Sequence, residues 1–483
     1  LLSTLGLSYF ICPLFRVFIF TIFMLSTLPR SSKAFSSYPA GSIRELFFLS
    51  LPLMLTVCSG TLMLFADRLI LTRYCIDEMP AATMASNLYA IFAFGTIGIT
   101  AISEVFVGRY NGASAYQRLG EPVWQMLWVA LASTLLFIPL ALFAGPLLIQ
   151  SSFQAQGVPY FQKLMLFGPI HAMIPALAGF FIGQGKTYLV LGASIVANIF
   201  NLLANFLLVF GFSTYIPKLG TQGSAMATII AQLLHFLILL FVFLNADNRK
   251  TYGTGKFGLK KETLLSCLKI GFPNTISHVL EISGWWALLT LVAGLEDKFV
   301  KVFSIGQSIF FLFAFISDGL QKGTIAAASN YIGSAQWHLI NKVFFSGIKL
   351  SLMLSLLFAV PLFIYPSPLI GLFFKEHTQT FVELYPLAQV ALRWIGVFCI
   401  FDMIVWAMSG ILTAAGDTRF LMFINPFSVW VFSILPTYLY VNRYGGNPVT
   451  IWIFTALYAA VNVVLVYFRY RSNKWKHSLP TAN

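Results

Sequence analysis

Apolar runs of about twenty residues recur along this chain from end to end, each long enough to cross a hydrocarbon layer of about 30 Å. Lipid offers a backbone no hydrogen-bond partner, so a spanning segment must be a helix or part of a closed barrel. The runs are continuous rather than alternating, which selects helices. Composition agrees: 58% of the 483 residues are hydrophobic and 10% are charged, where soluble chains carry about 25% charged residues. The longest polar stretch, near Asn245–Glu262, is too short for a water-soluble domain between the runs.

Net charge is +14, which raises nucleic acid as a partner. The basic residues instead lie in short loops and at the C-terminal end (Arg469, Arg471, Lys474, Lys476), as positive-inside bias places them. No basic domain is present, so no nucleic-acid partner is expected. The five cysteines (Cys12, Cys58, Cys75, Cys267, Cys399) are scattered without a CxxC pair and indicate neither a disulfide framework nor a metal site.

Twelve spans are predicted, centred near Cys58, Phe94, Leu135, Ile174, Leu202, Leu233, Trp286, Phe313, Leu354, Cys399, Phe432 and Ala459. Residues 1–42 form an apolar N-terminal extension. Leu1–Leu28 can be an extra helix, a processed leader or sequence upstream of a start at Met24, and they lack a leader's basic first region. Residues 43–244 then make an N-lobe of spans 1–6, 245–262 a linker, 263–471 a C-lobe of spans 7–12, and 472–483 a basic tail. Arg30, Lys33, Arg44, Arg109, Arg118, Lys186, Arg249, Lys250, Lys342 and Arg419 fall in alternate loops. Asp77, Glu78, Glu296, Asp297 and Glu376 fall in the others. This predicts a multi-pass protein of the cell membrane with both ends of the twelve-helix core in the cytoplasm.

An internal repeat organises the spans. Phe92-Ala93-Phe94 with Gly98 recurs as Phe313-Ala314-Phe315 with Gly319, an offset of 221 (313 less 92). Pro52 maps to Pro273, and Tyr110 with Gly112 to Tyr331 with Gly333, at the same offset of 221 (273 less 52). Later it drifts to 231 (418 less 187), where Gly185-Lys186-Thr187 faces Gly416-Asp417-Thr418. Each repeat holds an even number of spans, so both insert the same way up. That is the parallel repeat of transporters, with substrate near the midplane between halves. The expected fold is therefore an all-α polytopic membrane protein of twelve transmembrane helices in two pseudo-symmetric six-helix lobes.

A charged side chain at the centre of a span costs about 2.5–3.5 kcal/mol on insertion scales, so each is a functional candidate. Asp67 lies late in span 1. Asn198, Asn201 and Asn205 share a face of span 5, and Thr228, Gln232 and His235 a face of span 6. These asparagines serve equally as a polar site or as helix–helix glue. In the second half, Asn274, His278 and Glu281 follow one another along span 7, and Asp402 is central in span 10. Gln307, Asp318 and Lys322 lie along span 8, the last two spaced for a structural ion pair. Glu281 and Asp402 have no cation near them in sequence, and a desolvated carboxylate takes up a proton or shares a bound Na⁺ with neighbouring oxygens. Asp67 has no acidic counterpart at its repeat-related position, Leu288. Glu104, with Arg109 beyond it, reads as a membrane-end anchor. Trp285, Trp286, Trp406 and Trp430 are candidates for a cavity taking flat organic cations. Gly183-Gln184-Gly185-Lys186-Thr187 has Phe180 where a phosphate loop needs glycine, and reads as a tight turn.

Over about Ile43–Arg471 the chain resembles multidrug and toxic compound extrusion (MATE) transporters. The resemblance rests on Leu51-Pro52 with Phe65-Ala66-Asp67, on Asn201 and Asn205 before Gly211, and on Gly223-Ser224-Ala225-Met226-Ala227-Thr228. It continues with Gly271-Phe272-Pro273 before Glu281, Gln307, and Asp402 before Gly416-Asp417-Thr418. It implies an N-lobe cation or proton site at Asp67, Asn201, Asn205 and Thr228, and a C-lobe site at Glu281 and Asp402 able to take Na⁺. It further implies export of organic cations or amphiphiles by H⁺ or Na⁺ antiport through rocking of two lobes, without a further cofactor. Asn274, His278, Gln307 and Trp406 are the candidates for the substrate cavity, and the chain is expected to act as a monomer in the bilayer. Arg68 departs from the pattern, being placed to pair with Asp67; so do Asp318, Gln321 and Lys322 in span 8. The alternative is a lipid-linked saccharide flippase of related architecture, which calls for a strongly basic cavity. An intramembrane enzyme would need a nucleophile–base or His-rich constellation, and the six histidines are dispersed.

Overall fold

The computed structural model describes residues 35–75, 77–211, 217–371, 379–444 and 447–478. The expectations about residues 1–34, including Cys12 and Met24, and about Glu376 lie outside the described residues.

The spans are Ile43–Tyr74 (span 1), Met79–Gly112 (2), Tyr116–Leu148 (3), Thr187–Phe210 (5) and Thr221–Phe243 (6). In the second half they are Lys261–Val292 (7), Phe299–Gly333 (8), Trp337–Ile364 (9), Glu383–Ala415 (10), Thr418–Tyr444 (11) and Val449–Arg471 (12). Span 4 is a bent pair, Ser151–Leu166 and Gly168–Gly183, meeting at 43°. Every predicted centre falls inside its helix. The bend in span 4 was not anticipated. It falls at Gly168-Pro169, where proline lacks the amide that would continue the helix and suits the first turn of the next.

Local chemistry sets the ends. Ser42 caps span 1, its hydroxyl accepting from the Glu45 amide at 3.2 Å. Asn447 caps span 12 by accepting from the Val449 amide at 2.9 Å. Gly185 and Gly416, the drifted repeat pair, both adopt left-handed backbone (φ 71° and 82°). They turn the chain from span 4 into span 5 and from span 10 into span 11, so the glycine-lysine-threonine sequence is a turn. Four large clusters form the packing, two in each lobe or at its border.

The lobes meet through spans 1, 2, 7 and 8, chiefly span 8 against spans 1 and 2. Their contact is concentrated at the end carrying Arg44, Arg109, Lys186 and Lys342, here called the basic end. Tyr331 donates its hydroxyl to Glu45 at 2.7 Å, and Ser346 donates to the Gly41 carbonyl at 2.7 Å. Arg109 donates to the Ala414 carbonyl through two nitrogens at 3.0 and 2.6 Å. Asn111 donates to Asn330, which in turn donates to the Gly183 carbonyl, at 2.7 and 2.8 Å. The helix ends touch reciprocally. A Cβ on Gly112 would lie 1.9 Å from the Asn330 carbonyl oxygen, and one on Gly333 would lie 2.0 Å from that of Arg109. These two contacts are related by the 221-residue offset. Farther along spans 1 and 2, a Cβ on Gly60 or Gly95 would meet nothing, and Leu62, Phe65, Phe94, Trp286 and Phe311 are exposed. The lobes are therefore held together at the basic end.

Candidate functional site

Each lobe holds a buried carboxylate dressed by polar side chains from several helices. In the N-lobe, Asp67 is 6% exposed and Asn201 and Asn205 are fully buried. Asn205 donates to Asp67 Oδ1 at 2.5 Å and Thr228 to Oδ2 at 3.5 Å. Asn201 donates to the Thr228 hydroxyl at 3.4 Å. The amide oxygens of Asn201 and Asn205 accept nothing. Spans 1, 5 and 6 thus place a carboxylate beside two unused carbonyl oxygens, a donor set suited to a hard cation. Asn198 is not part of it: this third asparagine donates to Ser59 at 2.9 Å and to Ser194 at 3.4 Å, and bridges spans 1 and 5. The expected pairing of Arg68 with Asp67 is not made. Arg68 is exposed, and among the described residues no ion pair joins the two. Asp67 points inward to the asparagines while its neighbour, one residue round the helix, points out.

In the C-lobe, Asp402 is 7% exposed. It accepts from the Trp406 indole at 3.1 Å and from Ser317 at 3.4 Å. Glu281 and His278 lie on the same small cavity, with His278 Nδ1 4.0 Å from Glu281 and the imidazole stacked on Trp406 at 5.6 Å. The cavity is about 20 Å³, room for one water-sized species. Spans 11 and 12 complete it with Asn425, Tyr458 and Asn462, and span 10 adds Ser409. The oxygens of Ser409, Tyr458 and Asn462 are buried without a hydrogen-bond partner. Two carboxylates and several unused oxygens around a space of this size can hold a proton or a small hard cation. Among the described residues no group of three or more His, Cys, Asp or Glu is arranged to hold a metal ion.

The remaining candidates fall elsewhere. Asn274 and Gln307 are half-buried and do not line this cavity. Of the four tryptophans only Trp406 faces it. Trp285 packs among Phe310, Phe398 and Trp452, Trp286 is exposed, and Trp430 donates to the Leu280 carbonyl at 3.4 Å. Asp318 and Lys322 do pair, at 2.8 Å. Glu104 is not a membrane-end anchor: it is 6% exposed inside the molecule, and Arg109 is engaged with Ala414 instead. Ser317, Ser409, Asn425, Tyr458 and Asn462 went unremarked in the sequence because they are scattered over four helices, spans 8, 10, 11 and 12. A part-buried pair also escaped, the Tyr89 hydroxyl and His171 Nδ1 at 2.9 Å in spans 2 and 4.

Two six-helix lobes held together at one end, with a carboxylate site in each, define a two-lobed membrane transporter rather than an enzyme. The chain belongs to the MatE family, whose profile matches residues 52–207 and 273–439, once in each half. It is 25% identical to the uncharacterized transporter YisQ of Bacillus subtilis over 458 residues, 90% of this chain and 96% of that protein. It is 22% identical to a probable multidrug resistance protein NorM of Thermotoga maritima over 445 residues, 90% and 93% of the two. A solved MATE structure in the straight conformation superposes with a TM-score of 0.80 at 17% identity, covering 91% of this chain and 98% of that one. An outward-facing multidrug resistance MATE transporter superposes at 0.78 with 16% identity, covering 92% and 98%.

Proposed function

We propose that this chain is a secondary active antiporter that exports organic cations or amphiphilic drugs in exchange for H⁺ or Na⁺, acting as a monomer with its basic end in the cytoplasm. The observation that carries the reading is the pair of buried carboxylate sites, one per lobe, each with unused oxygens beside it. Such a site is stable only when a proton or cation offsets its charge. Binding there therefore couples an ion gradient, worth about 2.3 kcal/mol per charge per 100 mV of potential, to the arrangement of the lobes. The closed basic end supports an orientation in which this conformation faces away from the cytoplasm. A saccharide-pyrophosphate flippase is less well supported, because Lys322 of span 8 is already paired with Asp318.

The test is flux in proteoliposomes with Na⁺ and H⁺ gradients imposed separately against a panel of organic cations. Flux should collapse with one gradient and fall at least about tenfold in Glu281→Gln or Asp402→Asn, the loss expected when a charge-assisted contact is removed. Gradient-coupled flux that survives unchanged in both variants refutes the assignment.

A further inference from the structure

The linker between the lobes takes no part in either carboxylate site, yet it is not a free tether. It is hung on the first turns of span 3. Gln117 donates to the Lys250 carbonyl at 2.6 Å and Trp124 to that of Thr254 at 2.7 Å. Trp128 donates to the Phe257 carbonyl at 3.0 Å, and Gln125 to that of Gly258 at 3.1 Å. The chain then turns back: the Lys260 amide donates to Gln125 at 3.0 Å, and the Lys260 ammonium meets Glu121 at 2.7 Å. Thr263, at the start of span 7, also donates to Glu121. Residues 254–260 therefore run down span 3 as far as Trp128 and climb again to the level of Glu121, with Phe257 at the tip of the loop.

That tip lies at a membrane boundary. The lipid-facing leucines of span 3 begin with Leu131 and Leu135, 49% and 83% exposed. Trp128 lies one turn before Leu131, the level at which tryptophans sit between headgroups and acyl chains. A loop at that depth must find its hydrogen bonds in protein, and the indole and amide groups of span 3 supply them. Its side chains, however, turn outward. Phe257 touches Trp124 edge-on, with ring centres 6.0 Å apart, but is 64% exposed, and Leu259 is 57% exposed. Lys256 and Lys261 flank them, both exposed, and among the described residues neither makes an ion pair. Arg249 and Lys250 add to the positive charge of the linker, against Asp247 and Glu262; Glu121 is already taken by Lys260. Apolar side chains at the boundary beside unpaired ammonium groups match the two parts of an anionic phospholipid.

We propose that the linker loop, residues 256–261, is a binding site for an anionic phospholipid. Lys256 and Lys261 hold its phosphate, and Phe257 and Leu259 seat the upper part of its acyl chains. The segment that carries the lipid is the one that joins the two lobes, so their joint is moored to the membrane surface beside span 3.

The test is native mass spectrometry of the delipidated full chain in detergent, titrated with phosphatidylglycerol or with phosphatidylcholine of the same acyl chains. Wild type should bind one phosphatidylglycerol about twentyfold more tightly than phosphatidylcholine. Lys256→Gln and Lys261→Gln should each cut that preference about fivefold, the scale of one lysine at an anionic lipid surface. Phe257→Ser should weaken both lipids by the same factor and leave the preference intact. Lys342→Gln, which removes an exposed lysine elsewhere at the basic end, should change neither. Equal affinity for the two lipids, a preference that survives Lys256→Gln combined with Lys261→Gln, one that falls as far in Lys342→Gln, or unchanged affinities in Phe257→Ser overturns the site. Displacement of phosphatidylglycerol by an equal concentration of soluble glycerol phosphate also overturns it, because the site would then read a free phosphate rather than a lipid. Thermal unfolding of each variant confirms that it is folded.

Discussion

At the scale of single residues, the sites depend on donors that hold a carboxylate in place. Asn205 is the strongest of these for Asp67, at 2.5 Å. Asn205→Ala should lower thermal stability in detergent by the worth of a hydrogen bond to a charged group, about 1.5–3 kcal/mol. An unchanged unfolding midpoint would mean that Asp67 is held by something else. Asp417 accepts a two-pronged bond from Arg469 at 2.7 and 2.9 Å, with Asp417 buried and Arg469 partly exposed. Asp417→Asn should destabilise by about 2 kcal/mol, less than a fully buried pair because water screens the arginine. The titratable members of both sites were legible in the sequence, because a charge in an apolar run stands out against its background. Their partners were not. Ser409, Tyr458 and Asn462 are ordinary residues in a membrane helix, and only folding reveals that their oxygens converge on Asp402. The same blindness explains Asn198, which has the right spacing to join Asn201 and Asn205 but meets Ser59 first.

At the scale of elements, the twelve spans were legible because length and apolarity are one-dimensional properties. The bend in span 4, although marked by Gly168-Pro169, and the five-residue π-helical turn Trp430–Ile434 in span 11 were not read from the sequence. The closed seam is where elements carry function. Gly112 and Gly333 allow two helix ends to touch carbonyl to Cα, and any side chain there forces the backbones apart. Gly112→Ala or Gly333→Ala should shift the lobes toward opening at the basic end, read as faster thiol labelling of a reporter cysteine at Ser334. Gly95→Ala, which meets nothing within 4 Å, is the control and should leave labelling unchanged. Glu45 is a second fastener. It accepts from Ser36 and from the Gly41 amide within its own lobe, and from Tyr331 across the seam, each at 2.7 Å. Tyr331→Phe deletes only the contact between lobes and should favour the same opening, by about 1.5–3 kcal/mol. Slower labelling in this variant would show that the contact opposes closure.

At the scale of the whole molecule, the proposed rocking of the lobes calls for the seam to open and reform in every cycle. Asn111 and Asn330 meet across it at 2.7 Å. Replacing both with cysteine on a cysteine-free background and bridging them with a short bifunctional thiol reagent should abolish flux, with recovery on reduction where the bridge is reducible. Flux that continues through a bridged seam would refute rocking of the lobes about this end. The reciprocal contact of Gly112 and Gly333 has a further consequence. In a dimer of identical half-length chains, every substitution on the axis would strike twice, so no position there could become charged without meeting its own copy. Fusion into one chain removes that restriction. The glycines have stayed alike, while elsewhere on the same helices Glu104 stands where the other half carries Ile325, and Lys322 where it carries Ala101, each 221 residues from its counterpart (325 less 104). Such unlike pairs at repeat-related positions are open only to a protein whose two halves inherit and mutate separately.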